Sequence, residues 1–65
     1  MRLKELRKER NLLQKEVAKA IGTSQANIGR WESGQNEPSS HYVIALADFF
    51  GVSADYLLGR EDDFG

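Results

Sequence analysis

The sequence lacks the residues that small proteins commonly use for cross-links or metal centres. Its 65 residues include no cysteine, which excludes a disulfide framework and a thiolate metal site. The one histidine, His41, cannot build a zinc centre alone. We therefore expect no metal and no cofactor, and a fold whose stability comes from close packing of its elements.

Long apolar runs and leader segments are missing too. The longest apolar run, Tyr42 to Ala47, is far too short to span a membrane. No basic segment followed by an apolar one resembles an export signal. The sequence therefore predicts a soluble cytoplasmic protein without membrane contact.

Patterns typical of an active site are equally scarce. There is no Ser or Cys nucleophile with a positioned histidine, no carboxylate pair suited to acid–base work and no glycine-rich phosphate loop. We expect the chain not to be an enzyme.

The net charge of −1 hides an uneven distribution. Residues 1–20 hold seven basic and three acidic side chains, a net +4, whereas residues 21–65 hold two basic and seven acidic ones, a net −5. A basic region can face nucleic acid. Taken alone, however, the asymmetry is better explained by a solvated charged face on the first helix.

Apolar spacing and end signals predict five helices and no strand. They are expected at about residues 2–10, 14–21, 25–33, 40–50 and 54–58, within one domain of residues 1–60 that is followed by a short acidic tail at residues 61–65. The expected end signals are left-handed positions at Asn11 and Gly22, helix-ending glycines at Gly34, Gly51 and Gly59, and serine caps at Ser24, Ser39 and Ser53.

The segment from Gln14 to Trp31 is the most informative part of the chain. Val17 and Ile21 lie four apart on one helical face, and Ile28 and Trp31 lie three apart on the next. A Gly-Thr-Ser break separates the two stretches. This pattern predicts a helix-turn-helix, which presents its second helix to the DNA major groove. Its spacing places Trp31 in the core and not against DNA bases.

From residue 2 to residue 60 the chain resembles the Cro and phage-repressor family of helix-turn-helix proteins, also called XRE-type. The resemblance lies in RLKELRKERNLLQKEVAKAIG, TSQANIGRWESG and LADFFGVSADYLLG. It implies a compact all-α, five-helix domain like that of the lambda repressor. It also implies a sequence-specific transcription regulator, a repressor, which binds a palindromic operator in double-stranded DNA as a homodimer.

The resemblance further implies which residues meet the DNA bases. Gln25 is the candidate for a bidentate pair with adenine, and Ala26 for contact with a thymine methyl. Asn27 flanks them and is a further candidate for base contact, although Gln25 and Asn27 could instead be ordinary surface amides. For Arg30, base contact, phosphate contact and plain solvent exposure remain equally open.

Other positions are implied by the resemblance to contact the DNA backbone or to support the fold. The expected backbone contacts are Gln14, Lys15, Ser24, Asn36 and Ser39. The side chain of Gln14 is also expected to brace Gln25. In the family, the positions of Arg7 and Glu32 form a partly buried ion pair that joins the first helix to the third.

The chain departs from the family pattern at several points. Leu13 replaces the usual Thr or Ser cap of the second helix, Gly29 lies inside the third, and the loop at residues 35–37 has no basic residue. Weak non-specific DNA binding is therefore expected, with specificity depending on base contacts and dimerisation. The expected dimer surface lies around the fourth and fifth helices, with Phe49, Tyr56 and Leu58 as candidates.

A second hypothesis makes the chain a protein-interaction module, such as an antitoxin or an antirepressor partner. Its acidic end, with Glu61, Asp62 and Asp63, could then bind a basic protein. Selection of a palindromic motif from random duplexes would separate a DNA-binding regulator from such a module.

Overall fold

The computed structural model describes residues 1–60, and these form five helices without a strand. In chain order they are α1 (Leu3–Glu9), α2 (Gln14–Ile21), α3 (Gln25–Ser33), α4 (Ser40–Phe50) and α5 (Ala54–Leu58). The expected all-α, five-helix fold is confirmed. The predicted acidic tail, residues 61–65, lies outside the described residues. None of the described helices is long and apolar enough to cross a membrane.

One core holds the helices together, and every helix contributes to it. Ten buried side chains form this core and pack α2 and α3 against the other helices. They are Leu3, Leu6, Val17, Ala18, Ile28, Trp31, Leu46, Ala47, Phe50 and Leu57. Trp31 is only 6% exposed, and its ring centroid lies 5.3 Å from that of Tyr42. The expected core position of Trp31 is confirmed.

The turn between α2 and α3 is set by two residues. Gly22 adopts a left-handed conformation with φ 78°, which turns the chain at the end of α2 and suits a residue without Cβ. Ser24 then caps α3, because its Oγ accepts a hydrogen bond from the Asn27 N–H at 3.1 Å. Both predictions for this turn are confirmed, and they fix the direction in which α3 leaves it.

The remaining helix starts follow the sequence less closely. Ser53 caps α5 through a bond from the Tyr56 N–H, at 3.0 Å. The prediction for Ser39 is wrong in part: it holds the N-cap position of α4, but its side chain accepts no capping bond. A serine at the N-cap position is therefore not sufficient for a side-chain cap, which also requires a hydrogen bond from an N–H of the first turn. At α2, the side chain of Leu13 cannot accept a capping bond, but the Leu13 N–H donates to the Glu16 Oε1 at 2.7 Å.

Arginines of the basic N-terminal region join α1 to distant helices. Arg2 donates from its backbone N–H to the Leu57 carbonyl at 2.7 Å and from Nε to the Tyr56 carbonyl at 3.0 Å. Arg10 donates from Nη2 to the Phe50 carbonyl at 2.8 Å, where α4 ends. Two of the basic side chains in residues 1–20 are therefore engaged in hydrogen bonds within the domain.

Candidate nucleic-acid interface

α3 has one face buried in the domain and one face exposed to solvent. Ile28 is fully buried and Trp31 nearly so, whereas Gln25, Ala26 and Arg30 are exposed. The three exposed residues lie within two turns on one side of the helix. Because the core fixes the buried face, these exposed side chains have a defined position relative to the rest of the molecule.

An ion pair ties the buried side of α3 to α1. Arg7 donates from Nε to the Glu32 Oε2 at 2.6 Å and from Nη2 to the Glu32 Oε1 at 3.1 Å. The two side chains are 11% and 4% exposed, respectively. Arg7 also donates from Nη1 to the Leu12 carbonyl at 2.8 Å. The pair expected from the family resemblance is thus present, with the fork-to-fork geometry that makes such pairs strong.

The surroundings of Glu32 keep it ionised. Burial alone would raise the pKa of Glu32, but hydrogen bonds from Arg7 and Gln14, together with the charges of Arg7 and Lys4, outweigh it and lower that pKa. The bond to Glu32 conversely raises the pKa of Arg7, against the effect of its burial. Both partners therefore remain charged at neutral pH.

A chain of amides runs from this ion pair to the exposed face. Gln14, at the start of α2, donates from Nε2 to the Glu32 Oε1 at 3.1 Å. Gln25, at the start of α3, donates from Nε2 to the Gln14 Oε1 at 3.5 Å, the long limit of a hydrogen bond. The expected bracing of Gln25 by Gln14 is therefore present in the geometry.

A second set of polar contacts surrounds the turn. The Asn27 Nδ2 donates to the Thr23 Oγ1 at 2.9 Å, and its Oδ1 accepts from the Arg30 Nη1 at 3.1 Å. Asn27 is half-buried and its amide is engaged at both ends. It therefore supports the turn and orients Arg30, whereas Gln25 and Ala26 have the more open positions.

The residues expected to contact the DNA backbone are spread around α3. Gln14 is half-buried, whereas Lys15 and Ser24 are exposed beside it. Asn36 and Ser39 lie in the loop between α3 and α4, and both are exposed. A phosphate backbone could therefore contact the N-terminal ends of α2 and α3 and the loop after α3.

The structure adds features that the sequence prediction did not contain. The bond from Gln14 to Glu32 is one, although the two residues are eighteen positions apart and no local pattern could indicate it. The exposure of Ile44 is another: 59% of this residue is accessible, and Phe49 on the same helix is 41% accessible. The apolar run from Tyr42 to Ala47 was a signal for it, because a run longer than one helical face must expose a member.

The chain is similar to proteins named as helix-turn-helix transcriptional regulators. A family model described as helix-turn-helix matches residues 3–57. The chain is 36% identical over 62 residues to the HTH-type transcriptional regulator YobD of Bacillus subtilis, covering 95% of this chain and 55% of that protein. It is 37% identical over 62 residues to the HTH-type transcriptional regulator MJ0272 of Methanocaldococcus jannaschii, covering 95% of this chain and 94% of that protein.

A solved structure is also similar over nearly the whole chain. It is the crystal structure of the P22 c2 repressor protein in complex with a synthetic operator, with 32% identity and a TM-score of 0.87. The likeness covers 92% of this chain and 91% of that one. The chain nevertheless spans only about half the length of the first curated relatives it matches.

Proposed function

Because the chain belongs to the helix-turn-helix family of XRE-type transcriptional regulators, we propose that it is a repressor that binds a palindromic operator in double-stranded DNA as a homodimer. Residues 1–60 act as one DNA-binding domain. On this proposal the chain binds DNA in the cytoplasm and catalyses no reaction.

One observation supports the proposal above the others. Gln25, Ala26 and Arg30 form an exposed face on a helix whose other face is packed into the core. Such a helix can enter the major groove without rearrangement of the domain. The similar P22 c2 repressor was crystallised on an operator, and the likeness extends through this helix.

We assign base contacts to the exposed face of α3. Gln25 pairs with adenine, and Ala26 packs against a thymine methyl. Arg30 reaches guanine or a phosphate, and Asn27 holds it at 3.1 Å from one side. Each good bidentate pair contributes about 1–3 kcal/mol of discrimination between bases.

We assign backbone contacts to the positions around that face. The first turn of α2 offers free N–H groups at Gln14 and Lys15, and the positive end of a helix favours a phosphate. Ser24, Asn36 and Ser39 add hydrogen-bond donors on either side. Few of these groups are charged, so non-specific affinity is low and base contacts make a large share of the selectivity.

Dimerisation supplies the remaining selectivity. A single domain of this kind covers only about 600–1,000 Å² of protein surface on DNA, whereas a twofold pair places two recognition helices about 34 Å apart in successive major grooves. We place the dimer surface on α4 and α5, where Phe49 is exposed and Tyr56 and Leu58 are half-buried. A twofold dimer predicts an inverted repeat in the operator.

Selection of bound duplexes from a random DNA pool tests the proposal. We expect one enriched palindromic motif, and affinity for it that falls steeply as salt rises, because phosphate contacts release counterions. The double variant Gln25→Ala/Arg30→Ala should lose at least about tenfold in affinity, since it removes two candidate base contacts. Binding is measured by fluorescence anisotropy on a labelled duplex.

A matched control separates base contact from loss of charge. Arg60→Ala removes the same charge from an exposed position after α5, and it should bind the selected duplex nearly as the unchanged protein does. Operator affinity that survives Gln25→Ala/Arg30→Ala would refute the assigned interface. Failure to enrich any motif, with weak DNA binding at every salt concentration, would instead favour a protein-interaction module.

A further inference from the structure

Two hydrogen bonds link Gln25 to Gln14 and Gln14 to Glu32. Which group donates in each bond is fixed, because the series ends at a carboxylate. Ionised Glu32 can only accept hydrogen bonds, so the Gln14 side chain must turn its NH₂ group toward it. The Gln14 Oε1 then faces the other way, toward Gln25. Because the Gln14 Oε1 can only accept a hydrogen bond, Gln25 must bond to it through an N–H of its own amide.

The remaining hydrogen-bonding groups of Gln25 therefore have a defined composition. An amide offers two N–H donors and one carbonyl acceptor. With one N–H directed at Gln14, Gln25 presents one donor and one acceptor to the solvent side of α3. Adenine offers one acceptor, N7, and one donor, N6, in the major groove, whereas guanine offers two acceptors, N7 and O6.

We propose that Glu32, acting through Gln14, fixes the orientation of the Gln25 amide and thereby makes Gln25 select adenine over guanine. This inference rests on the proposed function. Glu32 is a positioning residue in this scheme, because it is buried and meets the operator only through two other side chains. Its pairing with Arg7 holds the carboxylate in place at 2.6 and 3.1 Å.

Without the Glu32 carboxylate, the orientations of the Gln14 and Gln25 amides would no longer be fixed. A neutral amide at position 32 can donate as well as accept, so the Gln14 side chain could rotate by half a turn. Its NH₂ group would then face the carbonyl of Gln25, which would leave Gln25 with two free donors. Two donors match the N7 and O6 of guanine. The choice of base would thus depend on a residue inside the domain.

The test compares two duplexes that differ only at the base pair assigned to Gln25, adenine in one and guanine in the other. The unchanged protein should prefer adenine by about tenfold or more. Glu32→Gln should reduce the preference to within about twofold, while preferences at the other positions of the motif persist. Gln14→Ala should do the same, and it leaves the pair of Arg7 and Glu32 intact.

A control variant and a folding check make the result decisive. Ser53→Ala removes the cap of α5, far along the chain from α3, and should weaken the fold without changing the adenine preference. Circular dichroism shows whether each variant is folded. If Glu32→Gln is unfolded, the double variant Arg7→Leu/Glu32→Leu takes its place, because it removes the carboxylate without leaving a buried charge unpaired.

Several results would overturn the inference. Variants that bind more weakly but keep the same ratio of adenine to guanine would show that Glu32 only supports the fold. A preference of the unchanged protein for guanine at this position would contradict the assigned direction while leaving operator binding intact. If the unchanged protein selects no motif at all, the proposed function fails, and this inference with it.

Discussion

The inner side of α3, which faces the rest of the domain, and its outer side, which faces solvent, differ in how firmly hydrogen bonds hold their side chains. On the inner side, Glu32 is 4% exposed and accepts three hydrogen bonds, from Arg7 and Gln14. On the outer side, Arg30 is exposed and its Nη1 has one partner, the amide of Asn27. The charge of Glu32 is therefore paired within the fold, whereas that of Arg30, two positions earlier, is available to a ligand.

The difference shows how this small domain combines rigidity with recognition. Burying a charge is costly unless it is paired and hydrogen-bonded, so the inner network has to be complete. The outer face carries no such requirement and can hold groups that find their partners only on DNA. Arg2, which is half-buried, and Arg10, which is exposed, flank α1, and each donates from its side chain to a backbone carbonyl elsewhere in the domain.

The largest expected effect comes from breaking the inner side. Glu32→Ala should lower the free energy of unfolding by about 3–5 kcal/mol, because it leaves the Arg7 guanidinium buried without its partner. Arg30→Ala should change it by no more than about 0.5 kcal/mol. Urea unfolding followed through the fluorescence of Trp31, the only tryptophan, measures both.

A double variant shows whether the loss comes from the unpaired charge. Arg7→Leu/Glu32→Leu replaces the pair by apolar groups and should recover much of the stability that Glu32→Ala loses. If Glu32→Ala and Arg30→Ala destabilise the domain equally, the contrast between the two sides of α3 is wrong.

A smaller effect on the same side is expected from acid. The pKa of Glu32 is lower in the folded state than in the unfolded one, so its contribution to stability is complete above the unfolded pKa and is lost as the pH falls through the folded value. Stability should therefore decline as the pH drops below about 4.3, the ordinary pKa of a glutamate. Arg7 stays charged throughout.

The acid effect of Glu32 has to be separated from that of other carboxylates. The double variant Arg7→Leu/Glu32→Leu retains the other acidic side chains, so its unfolding free energy against pH provides the reference. We expect the unchanged protein to lose more stability than this variant between neutral and acidic pH. Parallel curves for the two proteins would contradict a stabilising role for the ionised Glu32.

Much of the fold could be predicted because its signals are local. Helix α3 begins and ends as the sequence predicts, since Ser24 caps it and Gly34 takes a left-handed conformation with φ 80° at its end. Asn11, with φ 55°, likewise adopts the predicted left-handed conformation after α1. Each of these depends on one residue and its immediate neighbours.

The parts that the sequence did not predict depend on contacts between distant positions. Arg10 and Phe50 are forty residues apart, and nothing in their spacing indicates that one donates to the carbonyl of the other. The same holds for Gln14 and Glu32. At Ser39 the residue type and position suited a cap, but the side chain accepts no capping bond. The base contacts of Gln25 and Arg30 stay predictions.

A small effect of opposite sign is expected from the glycine between the two sides of α3, which is half-buried beside Gln14. Gly29 lies inside the helix, where glycine costs about 1 kcal/mol relative to alanine. A Cβ added there would lie 3.7 and 3.8 Å from the Gln14 Nε2 and Oε1, which is ordinary contact. Gly29→Ala should therefore raise the free energy of unfolding by up to about 1 kcal/mol, measured by urea unfolding, and Ala26→Gly on the exposed face should lower it by a similar amount. A loss of stability in Gly29→Ala would show that the fold requires a glycine at this position. A gain would leave two explanations for Gly29, close approach of the backbone to DNA and a glycine that the fold tolerates, and the affinity of Gly29→Ala for the selected duplex separates them.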